Sequence, residues 1–436
     1  MNTVPNQTDS TMRQWTYWTL TTDADEVAWV AIDCPNQSTN TLSTAALAEL
    51  GEVIDELQRI RPRGAVFYSN KSSGFIVGAD VSEFENLQDP IDTAAKINQV
   101  HELFARIEQL SFPTLANIHG HCLGGGLELA LSCRYRVALD DGTTRLGLPE
   151  VLLGIHPGFG GTVRLIERVG VLQAFDLMLT GRNLDAARAQ KAGLVDRAVP
   201  LRHVDNAIHK LIFKGSNVQP RRFVDKVLNN SIVRPLVAAI LRRQVAKRAP
   251  EQHYPAPYAM IRLWRQHGSD RAAMFRAEAQ SISELFVSAT SRNLQRLFFL
   301  QERLKTIGRD VEFPVQHVHV IGAGTMGGDI AAWCAMRGLK VSLQDREIQY
   351  IAPAMKRSFA TFKNRIRDRY RRQAVQDNFI IDIEGKGIAT ADVIIEAIIE
   401  DLEIKRNLFQ EIEKIAKPNA LIATNTSSIP LDEIAE

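Results

Sequence analysis

The chain has 436 residues, 45% of them hydrophobic and 23% charged, with a formal net charge of +2. That balance is ordinary for a globular protein of two or three domains and gives no argument for a nucleic-acid or membrane partner. The first fourteen residues are polar, no apolar run reaches spanning length, and Cys34, Cys122, Cys133 and Cys334 form no CxxC pair, so a signal peptide, a transmembrane helix, a disulfide framework and a cysteine zinc site are all unexpected, and reduced cytoplasm is the natural compartment.

In chain order, EVAWVAIDCP (26–35) reads as a strand ending at a proline turn, residues 42–60 have helical periodicity, and GAVFYSN (64–70) reads as a buried strand. GFIVGADVSEF (74–84) is an apolar strand running into a loop. Residues 113–133 read as strand, glycine loop and a helix starting near Leu127, and YRVALDD (135–141) is a further strand. Strands interleaved with helices predict α/β architecture. From 201 to 306 the strands disappear, leaving an Arg-rich helical connector or cap interrupted at Pro255 and Pro257; a fresh strand–loop–helix–strand unit then opens near residue 310. The expected division is therefore 1–200, 201–310 and 311–436.

The first of these regions carries an acid–base pattern. Gly124, Gly125 and Gly126 have no Cβ, so a ligand atom can approach their N–H groups, and the helix after them adds the positive end of its dipole. The N–H of Ala79 is a second candidate donor, and Glu128 and Glu150 are two carboxylates placed near glycine-rich turns. Two amides polarising a thioester carbonyl would make a conjugated alkene electrophilic at its β-carbon. One glutamate could then activate water while the other, kept protonated by an apolar pocket, delivers a proton to the α-carbon. The bland alternatives are a glycine packing device and solvated acids. His119 and His121 flank Gly120, but no third ligand is in view, so they read as structural and no metal is expected.

GFIVGAD, HGHCLGGGLELALSCRYRVA, LGLPEVLLGIHPGFGGTVRL and AQKAGLVDRAV together resemble the enoyl-CoA hydratase (crotonase) family over most of residues 15–200. The resemblance implies a crotonase-type spiral domain, an oxyanion hole from Ala79 and Gly125, and Glu128 and Glu150 as the catalytic pair. It also implies hydration of trans-2-enoyl-CoA, with 3-enoyl isomerisation as a side activity.

Further on, Gly322, Gly324 and Gly327 come after an apolar strand and open a helix, and Asp345 closes the next strand 23 residues after Gly322. That spacing is the dinucleotide fingerprint: a tight turn, pyrophosphate approach to a helix N-terminus, and an acid for the adenosine ribose, favouring NAD over NADP, with Arg346 adjacent. Between Lys356 and Arg372 eight basic residues accompany only Asp368, with Phe359, Phe362 and Ile366 at helical spacing, which reads as one amphipathic helix with a solvated basic face. ADVIIEAIIEDLEIKRNLFQEIE (391–413) is strand then helix, and Leu421–Thr424 reads as a buried strand ending in the polar turn Asn425–Ser428. These passages resemble the 3-hydroxyacyl-CoA dehydrogenase family, which implies an incomplete Rossmann-type domain whose NAD site includes the Met326 backbone, Glu400, Lys405 and Ser427, with Asp401 where relatives carry Asn.

In that family a histidine beyond the polar turn takes the hydroxyl proton, yet the chain has no histidine after His319 and stops nine residues past Ser427. A longer parent protein is therefore expected. Hydratase then dehydrogenase is the order of the bifunctional α-subunits of fatty acid β-oxidation complexes, which implies oxidation to 3-oxoacyl-CoA in the parent, a thiolase β-subunit as partner, and an oligomer. The competing readings are an isomerase-dominant crotonase and a non-catalytic NAD-responsive scaffold.

Overall fold

A computed structural model describes residues 12–215, 227–307 and 312–435. The chain divides into two compact units, Met1–Ile307 and Gly308–Glu436.

The first unit contains β1 (Arg13–Gln14), β2 (Trp18–Thr22), β3 (Val27–Ile32), β4 (Gly64–Ser69), β5 (Gly74–Ile76), β6 (Thr114–Ile118), β7 (His121–Leu123), β8 (Tyr135–Leu139), β9 (Arg145–Gly147) and β10 (Arg197–Val199). A large sheet has the order β1-β2-β3-β4-β6-β8-β10, and a small one the order β5-β7-β9. The chain alternates between them: β4 is followed by β5, β6 by β7 and β8 by β9, so each turn adds one parallel strand to each sheet. This is the spiral that the hydratase resemblance implies.

Alternate residues point to opposite faces and both faces are buried, so β3 is apolar throughout and β4 is apolar up to Ser69. Ala28, Val30, Ile32 and Phe67 face a core shared with helix α1 (Thr44–Ile60), whose Leu50, Val53, Ile54 and Leu57 form one stripe. Val27, Trp29, Val66 and Tyr68 face the other side, covered by Ile208, Leu211 and Ile212 of the Val204–Lys214 helix. Each such side chain contributes about 1.5–3 kcal/mol when fully buried. Ser43 caps α1 by accepting the Ala46 N–H at 3.2 Å. Helix α2 (Pro90–Glu108) begins with Asp89 as cap and proline in its first turn.

Helix α3 spans Gly125–Ser132, two residues earlier than the sequence reading placed its start. Glycine propensity argues against a helix there, but Gly124 turns the chain at φ 50°, ψ −130°, and the Leu127 and Glu128 amides both donate to its carbonyl. Gly125 is thereby the first helical residue, and its N–H is one of the donors a helix start leaves without an internal acceptor. Helix α4 (Gly161–Val169) comes after a second glycine-rich turn. Among the described residues, 201–307 contains helices and no strand, as the sequence predicts, and belongs to the same compact unit as the two sheets; its helix α5 (Arg271–Phe286) packs against α2.

The second unit is a five-stranded parallel sheet of β11 (His317–Ile321), β12 (Lys340–Gln344), β13 (Phe379–Ile381), β14 (Val393–Glu396) and β15 (Leu421–Thr424). Its order is β13-β12-β11-β14-β15, with the order reversing beside β11, where open α/β sheets hold ligands. Two sequence readings need correction. Leu421–Thr424 is a strand but not a buried one: among the described residues β15 pairs only with β14, and Leu421 is more than half exposed. The basic segment is not one helix either. Ile348–Arg365 ends, and Asp368 caps a new helix, Arg369–Asp377, by accepting the Arg371 N–H.

Candidate active site

The small sheet of the first unit builds the site. Its three parallel strands run side by side, and a residue suited to chemistry lies just past the carboxyl end of each: Ala79 after β5, Gly124 and Gly125 after β7, Glu150 after β9. Ala79 forms a parallel bridge with Leu42, in which Leu42 bonds the Gly78 carbonyl and the Asp80 amide. The Ala79 N–H therefore points away from Leu42. Its nitrogen lies close to Gly125: a Cβ built at Gly125 would lie 3.3 Å from the Ala79 nitrogen and 3.0 Å from the Phe159 ring. Neither amide has an acceptor among the described residues. Two free amide donors this close together can stabilise an oxygen that gains charge.

Glu150 and Glu128 flank them. A Cβ at Gly124 would lie 3.0 Å from Glu150 Oε1, so a side chain there would crowd the carboxylate. Both Glu150 oxygens are buried, and among the described residues no other residue donates to them. Burial first, then the charge of Glu278, outweighs its own backbone amide and pushes its pKa up to about 8. Glu128, one turn into α3, is 2% exposed. Its Oε1 accepts the Phe159 N–H at 2.8 Å and the Gly161 N–H at 2.7 Å. Burial, then the charges of Glu150 and Glu278, raise it well above the usual carboxylate range, while those two amides oppose the shift. A buried pair with one member deprived of donors and the other given two is suited to moving protons, one end as acid and the other as base.

Glu278, on α5, was not anticipated. Its Oε1 accepts the Gly160 N–H at 2.6 Å and His101 Nε2 at 3.0 Å; its Oε2 accepts the Thr162 N–H at 3.0 Å and the Thr162 hydroxyl. The 159–162 amides thus alternate between Glu128 and Glu278. A signal was available: Glu278 lies between Met274 and Ile282 on the buried stripe of an amphipathic helix, where an unpaired acid would be costly. His119 and His121 instead brace a loop, their rings meeting the Lys71 and Ser73 carbonyls at 2.8 and 3.1 Å. Among the described residues no cluster of three or more His, Cys, Asp or Glu could hold a metal.

In the second unit the three glycines divide their roles. Gly322 has φ +105°, and a Cβ there would strike the Ala397 carbonyl; a Cβ at Gly327 would strike the Gly322 carbonyl; a Cβ at Gly324 would meet nothing within 4 Å. The first turns the chain, the last lets helix α6 (Thr325–Met336) pack closely, and the middle one faces open space where a pyrophosphate can approach. Met326 is the second residue of α6, its side chain exposed. Asp345 comes immediately after β12, its Oδ2 accepting the Ala323 N–H at 2.7 Å, beside the loop. Arg346, its neighbour, lies over the Tyr350 ring. These residues fit a dinucleotide. Glu400 Oε1 accepts from the Ser427 and Ser428 amides at 2.9 and 3.1 Å and from the Thr426 hydroxyl at 2.7 Å. Lys405 lies fully buried behind it, with its ammonium 2.7 Å from Glu396 and 3.3 Å from Glu400.

Comparison with known proteins agrees with both halves. Residues 22–251 match the enoyl-CoA hydratase/isomerase family, and residues 317–436 match the 3-hydroxyacyl-CoA dehydrogenase NAD binding domain. The chain is 35% identical over 439 residues to the fatty acid oxidation complex subunit alpha of Aliivibrio fischeri, covering 98% of this chain and 63% of that protein. It is 36% identical over 434 residues to the subunit of the same name in Vibrio parahaemolyticus, covering 96% and 61%. The chain thus spans less than two thirds of these relatives. A solved enoyl-CoA hydratase of Mycobacterium smegmatis is 17% identical, with a TM-score of 0.49 over 68% of this chain and 93% of its own.

Proposed function

The chain belongs to the enoyl-CoA hydratase/isomerase family, and from that premise we propose that its first unit hydrates trans-2-enoyl-CoA to 3-hydroxyacyl-CoA. The observation that carries the reading is the approach of the Ala79 amide to Gly125, 3.3 Å from a Cβ built there, beside two buried carboxylates. The thioester oxygen accepts from both amides, and the electrons of the alkene are drawn towards it. Glu128, made strongly basic by burial and neighbouring charge and oriented by the Phe159 and Gly161 amides, takes a proton from water as the hydroxyl adds to the β-carbon. Glu150, which lacks donors, gives its proton to the α-carbon. The pair then holds its one proton on the wrong member, and transfer back to Glu150 resets the site.

The second unit holds NAD, which accepts hydride from a 3-hydroxyl when bound. Gly324 leaves room for the pyrophosphate, Asp345 accepts from the ribose hydroxyls, and Glu400, itself fixed by Lys405, holds the turn that presents Ser427. Hydration followed by oxidation is the order this arrangement serves in the whole protein, with a thiolase subunit as partner, an oligomeric assembly, and the cytoplasm as its place. Among the described residues no helix is long and apolar enough to cross a membrane.

Crotonyl-CoA tests the proposal: the conjugated-thioester absorbance should fall on addition of the protein. An unchanged spectrum would favour the scaffold reading, and faster turnover of 3-enoyl than of 2-enoyl substrate would favour the isomerase.

A further inference from the structure

We propose that Glu278 is a positioning residue of the hydratase site, clamping the 158–162 turn so that the turn's amides hold Glu128 in its working place. The inference rests on the hydratase reading and extends it to a helix outside the spiral. Four donors fill both oxygens of Glu278: two amides and a hydroxyl from the turn, and His101, whose Nε2 also lies 2.8 Å from the Gly158 carbonyl. No lone pair remains for a proton, so Glu278 is a fixed anion.

The clamp has a consequence at three points. With Gly160 and Thr162 tied to Glu278, the intervening Phe159 and Gly161 amides face the other way, to Glu128. Phe159 also carries the ring that walls Gly125. Release of the turn would loosen the base and the oxyanion site together. The same anion stands in low-dielectric surroundings beside Glu128 and Glu150 and opposes ionisation of both. The other charged or titratable groups around the turn are His101, His156, which meets Ser281 at 3.0 Å, and Arg164, which donates to the Phe159 carbonyl at 2.9 Å and pairs with Glu108 at 2.9 Å.

The test compares Glu278→Gln and Glu278→Asp in the full chain, with crotonyl-CoA kinetics across pH and a melting curve for each. Glu278→Gln should lower kcat about a hundredfold with KM within about threefold. Loss of the anion should also move both limbs of the pH–rate profile down by about one pH unit. Glu278→Asp keeps the charge, so its limbs should stay in place and kcat should partly recover. A folded Glu278→Gln protein with the parent's kcat and limbs would overturn the proposal. Should that variant fail to fold, Thr162→Val serves instead: removal of one donor should cost about tenfold in kcat, and parental kcat would overturn the clamp. Failure of the parent chain to hydrate crotonyl-CoA would remove the hydratase reading and this proposal with it, whereas an active parent with an unaffected variant removes only the role of Glu278.

Discussion

The two units treat their carboxylates in opposite ways. In the first, Glu150 is buried with no donor from any other described residue, and burial raises its pKa to about 8. In the second, Glu400 is drawn down to about 2 by the Thr426 hydroxyl and the Ser427 and Ser428 groups, against the opposing effect of desolvation. Withholding donors makes an acid that carries its proton at neutral pH. Supplying them makes a permanent acceptor that organises a turn. The first is what proton transfer to carbon needs, and the second is what fixing a binding turn needs. Glycines show the same division. Gly124 and Gly125 clear space around reacting groups in the first unit, and Gly324 clears space for a phosphate in the second.

The contrast breaks most sharply at the proton-carrying pair. Glu128→Gln and Glu150→Gln should each lower crotonyl-CoA hydration about a thousandfold without destabilising the first unit; full activity in either variant would remove that residue from the chemistry. Next come the glycines. Gly125→Ala, with its new methyl against the Ala79 nitrogen and the Phe159 ring, should cost about a hundredfold in kcat. In the second unit Gly324→Ala should leave the melting curve unchanged and weaken NAD binding about tenfold, because its Cβ meets only open space, whereas Gly327→Ala should destabilise the unit itself. Equal effects of these last two on stability would sink the assignment of roles.

The smallest effect is on stability against pH, and its sign differs between units. Glu150 is raised in the folded state, so its burial costs progressively more as pH climbs from the ordinary carboxylate range to about 8. Glu150→Gln should therefore gain stability relative to the parent across that window. Glu400 is depressed, so its contribution is present above the ordinary carboxylate range and is lost as pH falls towards about 2. Glu400→Gln should destabilise the second unit at neutral pH, with the difference shrinking on acidification. Hydrogen exchange resolved by unit reads both; slopes of the same sign would contradict the contrast.

Much of this was legible in the sequence because it depends on local spacing. Gly322, Gly324, Gly327 and Asp345 lie within one strand–loop–helix–strand unit, and Glu128 sits within a helical turn of its glycine loop. Ala79 and Glu150 were recognisable as members of an ordered set, although no spacing rule brings β5, β7 and β9 side by side. What stayed hidden was set by tertiary contact. Glu278 reaches a turn more than a hundred residues earlier in the chain, and only its place on a buried stripe distinguished it from a solvated acid. The start of α3 was read two residues late because glycine propensity is overridden by the fold around Gly124. The exposure of β15 depends on what pairs with its far edge, which no property of Leu421–Thr424 encodes.

The central claim is that the first unit is an acid–base site whose acid, Glu150, is kept protonated because it is buried without donors. The pH–rate profile of crotonyl-CoA hydration tests it most directly. The rate should fall about tenfold per pH unit above an inflection near 8, as Glu150 loses its proton. A rate that stays level from about pH 6 to about pH 10 would mean that no such acid takes part.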